Sequence, residues 1–190
     1  MDNNEIISYI EEGNAARSSL EADKVSRVAK VITEALRSGK KVLCMGNGGS
    51  AADSQHFVAE LVGRFEAERR GLPAVALTTD SSVTTAISND YSYEMVFARQ
   101  VEALAQPGDV VVGISTSGNS KNVVAALETA KRIGCRIVTL TGQKGRVPEL
   151  ADSGCNIMVS SKRTSFIQEA HICAIHMISK MVEDSFSPGK

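Results

Sequence analysis

The sequence lacks the features of several large protein classes. Its 190 residues carry a formal net charge of −1, so it has no positive excess of the kind that binds nucleic acid or an anionic membrane. Its four cysteines include no C-x-x-C pair, which favours a reduced, intracellular chain. No apolar run approaches the length of a membrane span, and the acidic N-terminus is unlike a signal peptide. We therefore expect a cytoplasmic protein with neither nucleic acid nor membrane as partner.

Motifs for nucleotide binding are also absent from the sequence. The segment GNGGS at residues 46–50 does not match G-x-G-x-x-G, and no G-K-[ST] occurs after either of the two small-residue loops described below. Without the lysine of a P-loop, hydrolysis of ATP has little support.

Short apolar runs alternate with helical stretches along most of the chain. We predict an α/β fold with a doubly wound, parallel five-stranded sheet, because its strands are near-continuous apolar runs. The chain is interpreted as a single domain over 1–190, with residues 1–39 as additional N-terminal helices that cover a sheet face or build a subunit interface. The predicted helices are 4–12, 21–38, 50–62, a segment from Tyr93 onward, one ending near Gly134, 147–151 and 165–185, and the strands are 41–45, 73–79, 110–115, 136–142 and 155–160.

Two loops rich in small polar residues follow predicted strands and precede predicted helices. The first is GNGGS, and the second contains Ser115, Thr116, Ser117 and Ser120. Open α/β sheets bind ligands beyond the carboxyl ends of their strands, where a helix N-terminus suits a phosphate. Glycine permits close backbone approach, and hydroxyl groups donate to phosphate oxygens. We interpret the second loop as a cradle for a phosphomonoester; the alternative is that both loops are ordinary turns and helix caps.

A further set of residues has the chemistry of metal ligands and acid–base catalysts. His56 and Glu60 are four residues apart in one predicted helix and so share a face, and Gln168 and His176 lie in the last predicted helix. Imidazole, carboxylate and amide groups suit zinc or a similar divalent ion. The alternatives are a solvated helix face for His56 and Glu60, and a core position for His176.

Gln168 and His176 are too far apart to bind one ion from a single straight helix. Eight residues span about 12 Å along a helix axis. Either Gln168 precedes the regular helix, or the ligands of one site come from different chains.

Four segments in this order resemble a known family. They are GNGGSAADSQHFVAEL, SNDYSYE, GISTSGNS and IQEAHICAIH, and the resemblance extends over nearly the whole chain. The fold pattern and both loops are similar to the SIS (sugar isomerase) domain, and the four segments together resemble the phosphoheptose isomerases within it. The sequence departs from the family at Phe166, where arginine is frequent, and in GQKGRVPEL, where a glycine-rich segment is usual.

The resemblance implies a cytoplasmic homotetramer that converts sedoheptulose 7-phosphate to D-glycero-D-manno-heptose 7-phosphate, towards the heptose of lipopolysaccharide core. It implies zinc held by His56, Glu60, Gln168 and His176 at a site between subunits, and Glu60 and His176 as the acid–base pair. The substrate-binding residues that it implies are Asn47, Gly48, Gly49, Glu60, Asn89, Asp90, Ser115, Thr116, Ser117, Ser120 and Gln168.

Two interpretations without catalysis remain as alternatives. A related SIS-domain regulator, which associates with the bacterial replication initiator, shares the fold but does not have Glu and His at the positions of Glu60 and His176. This chain has both residues, which favours an enzyme. A sugar-phosphate sensor is expected to carry a DNA-binding module, and the sequence shows none.

Overall fold

Alternating strands and helices make up the computed structural model, which describes residues 1–187. Residues 188–190, which the predicted domain includes, lie outside the described residues. In chain order the elements are α1 (Asn3–Ser18), α2 (Ala22–Arg37), β1 (Val42–Gly46), α3 (Gly49–Val62), β2 (Ala74–Ala76), α4 (Ser81–Asp90), a 3-10 helix (Tyr93–Met95), α5 (Val96–Leu104), β3 (Val110–Ser115), α6 (Lys121–Ile133), β4 (Arg136–Thr141), α7 (Arg146–Glu149), β5 (Asn156–Met158) and α8 (Thr164–Phe186).

Within residues 1–187 the strands form one parallel sheet in the order β2-β1-β3-β4-β5. The strand β1 pairs with β2 on one side and with β3 on the other, from Val42↔Val110 to Gly46↔Ile114. The chain therefore reverses its direction of travel across the sheet between β1 and β3, which leaves a crevice beyond their carboxyl ends. The predicted doubly wound, five-stranded parallel sheet is confirmed.

Both faces of the sheet are covered by helices, because successive side chains of a strand point to opposite faces. Val42 and Cys44 pack on one side with buried residues of α2, α3 and α8. Leu43 and Met45 pack on the other side with buried residues of α5, α6 and α7. The sheet is thus the middle of three layers, as near-continuous apolar strands require.

The two N-terminal helices have different positions. The helix α2 is part of the layer beside α3 and α8, where it covers the sheet. The helix α1 packs on α8, while Ile6, Ile7 and Ile10 of α1 are about half exposed. The first helix was predicted to end at residue 12, before Gly13, but it continues to Ser18. Gly13 is buried where α1 meets α8, and a Cβ there would lie 3.5 Å from the ring of Phe166.

Other boundaries also differ from the prediction, among them the last strand, which was predicted over 155–160 and is Asn156–Met158. Residues 81–90 were not included in a predicted helix, whereas they form α4, and Asp80 caps that helix by accepting from Val83 N. Its apolar residues are too few for a periodic pattern, so the cap was the available signal. The strand predicted over 73–79 is shortened to Ala74–Ala76, since β2 is an edge strand with one neighbour.

None of the helices formed by residues 1–187 combines the length and the apolar character needed to cross a membrane. The four cysteines are free thiols; Cys44, Cys135 and Cys155 are buried. Burial raises the pKa of the Cys135 thiol to about 11, so this thiol is protonated near neutral pH.

Asp109 ties the starts of β1 and β3 together. Its carboxylate is buried and accepts hydrogen bonds from Lys41 N at 3.0 Å, Lys41 Nζ at 2.6 Å and Gln106 N at 2.8 Å. Burial opposes the charge of Asp109, but these hydrogen bonds and the charge of Lys41 hold its pKa below the usual range. This carboxylate therefore contributes stability only while it is ionised.

We expect Asp109→Asn to lower the free energy of unfolding at pH 7 by about 1–3 kcal/mol, because donors around a buried carboxylate lose their acceptors. A depressed folded-state pKa gives stability that is complete above the unfolded pKa, about 3.9, and is lost as pH falls through the folded value. The difference in the free energy of unfolding between Asp109→Asn and wild type should therefore narrow below about pH 4. Urea unfolding of both proteins between pH 7 and acid pH measures this difference.

The matched control is Asp184→Asn, which removes an exposed carboxylate paired with Lys180 at 2.6 Å. An exposed pair of this kind contributes about 0–1 kcal/mol, so the control should stay near wild type. Equal losses in both variants, or a gap for Asp109→Asn that widens in acid, would contradict the role given to Asp109.

Candidate active site

The first polar loop joins β1 to α3, and Asn47 fastens it to the second loop. The side-chain amides of Asn47 and Asn122 exchange two hydrogen bonds, each of 2.9 Å. The hydroxyl of Tyr93 also donates to Asn47 Oδ1 at 2.9 Å. Asn122 belongs to the first turn of α6, so Gly48 and Gly49 are held beside the N-terminal end of that helix. Asn122 and Tyr93 were not predicted as site residues; the only signal in the sequence was the place of Asn122 two residues after Ser120.

The second polar loop brings three hydroxyl groups together at the N-terminus of α6. Ser115 Oγ lies 2.8 Å from Ser120 Oγ and 3.4 Å from Ser117 Oγ, and Thr116 is half-buried between them in sequence. Ser120 is the N-cap residue of α6, yet its side chain makes no capping hydrogen bond. The hydroxyls and the positive end of the helix dipole therefore face one small region, which suits a phosphate group.

The segment after β4 packs on this loop at Gly118. Gly118 has a φ of +71°, and a Cβ there would lie 2.7 Å from the carbonyl oxygen of Gln143. Asn119 Oδ1 accepts from Arg146 N at 3.1 Å, and Gly118 O accepts from Val147 N at 2.8 Å. The segment that departs from the family pattern, GQKGRVPEL, thus forms part of the wall behind the hydroxyl groups.

His56, Glu60 and His176 form a cluster between α3 and α8. His56 Nε2 lies 2.8 Å from Glu60 Oε1 and 3.3 Å from His176 Nε2. The three ligand atoms lie within 4.8 Å of one another. The predicted pairing of His56 with Glu60 on one face of α3 and the predicted proximity of His176 are therefore both present in a single chain.

The donor set of this cluster suits a divalent cation. Two imidazole nitrogens bound to one tetrahedral zinc at about 2.0–2.1 Å stand about 3.3 Å apart. The nitrogens of His56 and His176 have that separation. If neither nitrogen carried a proton, their lone pairs would repel each other, and either a proton or a cation between them removes the repulsion. The residues present therefore fit zinc, with two nitrogens and one carboxylate oxygen.

Gln168 lies apart from this cluster within one chain. It belongs to the same unbroken helix as His176, so the idea that Gln168 precedes the regular helix is wrong. Its side chain packs against Gly49, where a Cβ would come within 2.5 Å of Gln168 Nε2. Gln168 therefore stands beside the first polar loop, and its role as a ligand of the same ion stays a prediction that requires a second chain.

The remaining residues predicted for the site lie on exposed or half-buried surface. Asn89 and Asp90 end α4, are exposed, and share a hydrogen bond of 2.9 Å.

Asp53 of α3 was not predicted as a site residue. One of its carboxylate oxygens is buried without a partner among the described residues. Burial raises the pKa of Asp53 to about 6, and the charge of His56 opposes that rise.

Two buried residues of α8, Phe166 and His171, belong to the core and not to the site. Phe166 is buried, with its ring 4.6 Å from that of Tyr9 and the guanidinium of Arg163 at 4.6 Å. It therefore helps to attach α1 to α8. His171 is fully buried, and burial lowers its pKa to about 4, so its ring is neutral. Among the histidines, His56 and His176 are the two with exposed surface.

Comparisons with known proteins agree with this fold and these loops. A family model described as the SIS domain matches residues 8–142, which is more than half of the chain. The phosphoheptose isomerase of Geotalea uraniireducens is 56% identical over 163 residues, 85% of this chain and 85% of that protein. That of Geobacter sulfurreducens is 50% identical over 188 residues, 97% of this chain and 98% of that protein. The solved phosphoheptose isomerase of Neisseria gonorrhoeae has a TM-score of 0.89 and 38% identity, with 95% of this chain and 98% of that chain covered.

These matches and the strand order define the chain as a member of the SIS domain family. Within that family it belongs to the phosphoheptose isomerases. The prediction of an isomerase is confirmed, and the alternative of a regulator without catalysis is not favoured.

We expect Gly118→Ala to lower the free energy of unfolding by about 2–4 kcal/mol. Alanine is disfavoured in the left-handed backbone conformation of this residue, and its Cβ would also clash with the carbonyl oxygen of Gln143. Gly39→Ala is the matched control: Gly39 has a φ of +74° with open space around it, so only the backbone penalty of about 1 kcal/mol applies. Denaturant unfolding of both variants measures the difference. Equal losses would show that the segment after β4 does not press on the loop.

Proposed function

We propose that the chain converts sedoheptulose 7-phosphate to D-glycero-D-manno-heptose 7-phosphate, a step towards the heptose of lipopolysaccharide core. The observation that carries the proposal is the convergence of His56, Glu60 and His176 in one chain whose fold also provides a hydroxyl-lined loop at a helix N-terminus. Family membership supplies the reaction class, since the relatives are named phosphoheptose isomerases. The whole chain, residues 1–190, works as one SIS domain, with residues 1–39 as its N-terminal helices.

The serine-rich loop holds the phosphate of the substrate. Ser115, Thr116, Ser117 and Ser120 donate hydroxyl hydrogen bonds to the phosphate oxygens, and the N-terminus of α6 adds its partial positive charge. The hydroxyl of Ser120 is available for this, because it does not cap the helix. The phosphate therefore anchors the sugar at the end of the crevice.

The sugar chain lies along the first polar loop. Asn47, Gly48 and Gly49 contact it, together with Asn89 and Asp90 and, from α8, Gln168. The hydrogen bonds from Asn122 and Tyr93 fix the orientation of the Asn47 amide before the substrate binds. Such preorganisation reduces the cost of orienting the substrate during the reaction.

Isomerisation moves one proton from C1 to C2 and one from the C1 oxygen to the C2 oxygen. Glu60 removes the proton from C1 of the open-chain ketose, which gives an enediolate with negative charge on the C2 oxygen. The hydroxyl proton then passes from the C1 oxygen to the C2 oxygen, and His176 donates or shuttles the proton that returns to C2. The contact of 2.8 Å between His56 Nε2 and Glu60 Oε1 orients the carboxylate. A carboxylate bound tightly to a cation is a poorer base, so the two roles of Glu60 compete.

Zinc is the proposed cofactor, with His56, Glu60, Gln168 and His176 as its ligands. When bound, zinc supplies a positive charge that stabilises the negative charge on the substrate oxygen during the reaction. Gln168 stands beside Gly49 of its own chain, so the fourth ligand comes from a second chain in a homotetramer. The exposed side chains of Met177 and Met181, on the same helix as His176, support a subunit contact beside the cluster.

The cytoplasm is the proposed location, and a phosphosugar and further copies of this chain are the proposed partners. The formal net charge of −1 supports the absence of nucleic acid and anionic membrane from that set.

Replacing the proposed base tests the reaction. We expect Glu60→Gln to lower kcat by about 10²–10⁴-fold, because an amide cannot remove a proton, while its similar size preserves the fold. Turnover of sedoheptulose 7-phosphate, with circular dichroism to verify folding, is the measurement. The control Glu102→Gln removes an exposed carboxylate that pairs with Arg99, and it should keep full activity. Near-normal turnover of Glu60→Gln would refute the assignment.

Zinc titration tests the ligand set separately from turnover. We expect His56→Ala to weaken zinc binding by more than about 100-fold and Gln168→Ala by about 10–100-fold, since each removes one ligand. Gln55→Ala is the control, because Gln55 neighbours His56 but donates to Thr78 Oγ1 at 3.2 Å. Unchanged zinc affinity in His56→Ala would exclude this cluster as the metal site, and unchanged affinity in Gln168→Ala would remove Gln168 from it.

A further inference from the structure

A buried charged pair connects the two helices that carry the proposed catalytic cluster. Glu183 lies on α8, seven residues after His176, and its carboxylate is fully buried. Arg69 lies in the segment after α3, and its side chain is 1% exposed. Arg69 Nε stands 3.5 Å from Glu183 Oε1. Glu183 and Arg69 thus form a buried pair of opposite charge, the Glu183–Arg69 pair.

The carboxylate of Glu183 organises the segment that follows α3. Glu183 Oε1 accepts from Phe65 N, and Oε2 accepts from Glu66 N and Ala67 N, all at 2.8 Å. Three successive backbone amides therefore point at one carboxylate of α8. This arrangement places the ring of Phe65 with its centroid 5.7 Å from that of His176.

The guanidinium of Arg69 binds the other end of the same connection, the C-terminus of α3. Arg69 Nη2 donates to Glu60 O at 2.6 Å, and Nη1 donates to Leu61 O at 2.9 Å and to Gly63 O at 3.2 Å. The last carbonyl groups of a helix have no partner within the helix, so a buried arginine there satisfies them. One of the carbonyls that it binds belongs to Glu60 itself.

The pair has features that stability alone does not require. Replacing a buried ion pair by apolar residues of similar volume is often neutral or stabilising, so such a pair is weak evidence for a role in stability. Here the pair also connects to both helices of the cluster: Glu183 shares a helix with His176, and Arg69 Nη2 donates to the backbone carbonyl of Glu60. The cluster in turn depends on α3 and α8 for a contact of 3.3 Å between His56 and His176.

We propose that the Glu183–Arg69 pair is a positioning unit, which fixes α3 against α8 so that His56, Glu60 and His176 converge. The expected effect of the pair on turnover rests on the proposed function. Its expected effect on the approach of α3 to α8 does not. Neither Glu183 nor Arg69 is among the residues proposed to bind the substrate or zinc, and Arg69 contacts Glu60 only through the backbone carbonyl.

The test uses Glu183→Gln in the full-length protein. The substitution keeps the size of the side chain but replaces one carboxylate oxygen by an NH₂ group. That group would face backbone N–H groups and cannot accept hydrogen bonds from them. We expect kcat for sedoheptulose 7-phosphate and zinc affinity to fall about 10-fold or more, as for the loss of a residue that orients ligands. KM should change less than about threefold, because the phosphate loop lies at the N-terminus of α6.

A readout in the metal-free protein separates this proposal from the proposed function. Nuclear Overhauser contacts between the rings of His56 and His176 report the approach of α3 to α8 without zinc or substrate. We expect these contacts in the wild type and their loss in Glu183→Gln. If the wild type fails to turn over the sugar phosphate while the ring contacts respond in this way, the proposed function fails and the positioning role stands.

Two further variants keep the test decisive. Arg69→Lys retains the charge but loses the planar group that binds several carbonyls, so it should give a smaller effect of the same kind and serves if Glu183→Gln does not fold. Ile137→Ala is the control for general destabilisation: Ile137 is buried on the sheet face opposite α3 and α8. It should lower thermal stability but leave kcat, zinc affinity and the ring contacts unchanged. Glu183→Gln and Arg69→Lys with lower stability but wild-type values of all three would overturn the proposal.

Discussion

The strand order β2-β1-β3-β4-β5, in which the chain moves to one side of β1 for β2 and to the other side for β3, determines where this protein can bind a ligand. The strand order places β1 and β3 side by side, although β2 lies between them in sequence. Both polar loops therefore leave the same edge of the sheet at neighbouring points, and the reciprocal hydrogen bonds of Asn47 and Asn122 join them. A helix begins after each loop, so two helix N-termini point at one crevice. The place proposed for the phosphate follows from this topology.

The proposed acid–base and metal cluster depends on a different contact, the packing of α3 on α8. His56 and Glu60 come from one helix and His176 from the other, so their separation depends on the angle and register of two packed helices. The apolar core beneath them, which includes Phe57 and Ile175, brings the helices together. Apolar packing is tolerant of small shifts, whereas hydrogen bonds donated to a buried carboxylate are directional. The buried Glu183 and Arg69 supply that direction.

The sequence predicts best those features that depend on short-range patterns. The apolar runs of β1, β3 and β4 were placed within about one residue, because strands buried on both faces leave a composition that few other elements share. The two polar loops and the pair His56 and Glu60 also follow from local spacing. The four ordered segments, which a single loop could not replace, identified the family.

Features that depend on contacts between distant segments could not be predicted. The links from Tyr93 to Asn47 and from Glu183 to Phe65 join residues with no characteristic spacing. Gln168 lies in the same unbroken helix as His176 and packs against Gly49, a contact that its sequence spacing does not indicate. The first helix was predicted over 4–12, but it continues past Gly13, where close packing against α8 accompanies the glycine.

The most direct measurement is turnover of sedoheptulose 7-phosphate by the purified protein, with chelator and then with added zinc. We predict isomerisation that the chelator abolishes and zinc restores, because the cluster of His56, Glu60 and His176 has the donor set and spacing of a zinc site. Turnover that ignores both additions would retain the isomerase and exclude the metal. A folded protein that shows no turnover with zinc would contradict the central claim that this cluster catalyses isomerisation of the heptose phosphate.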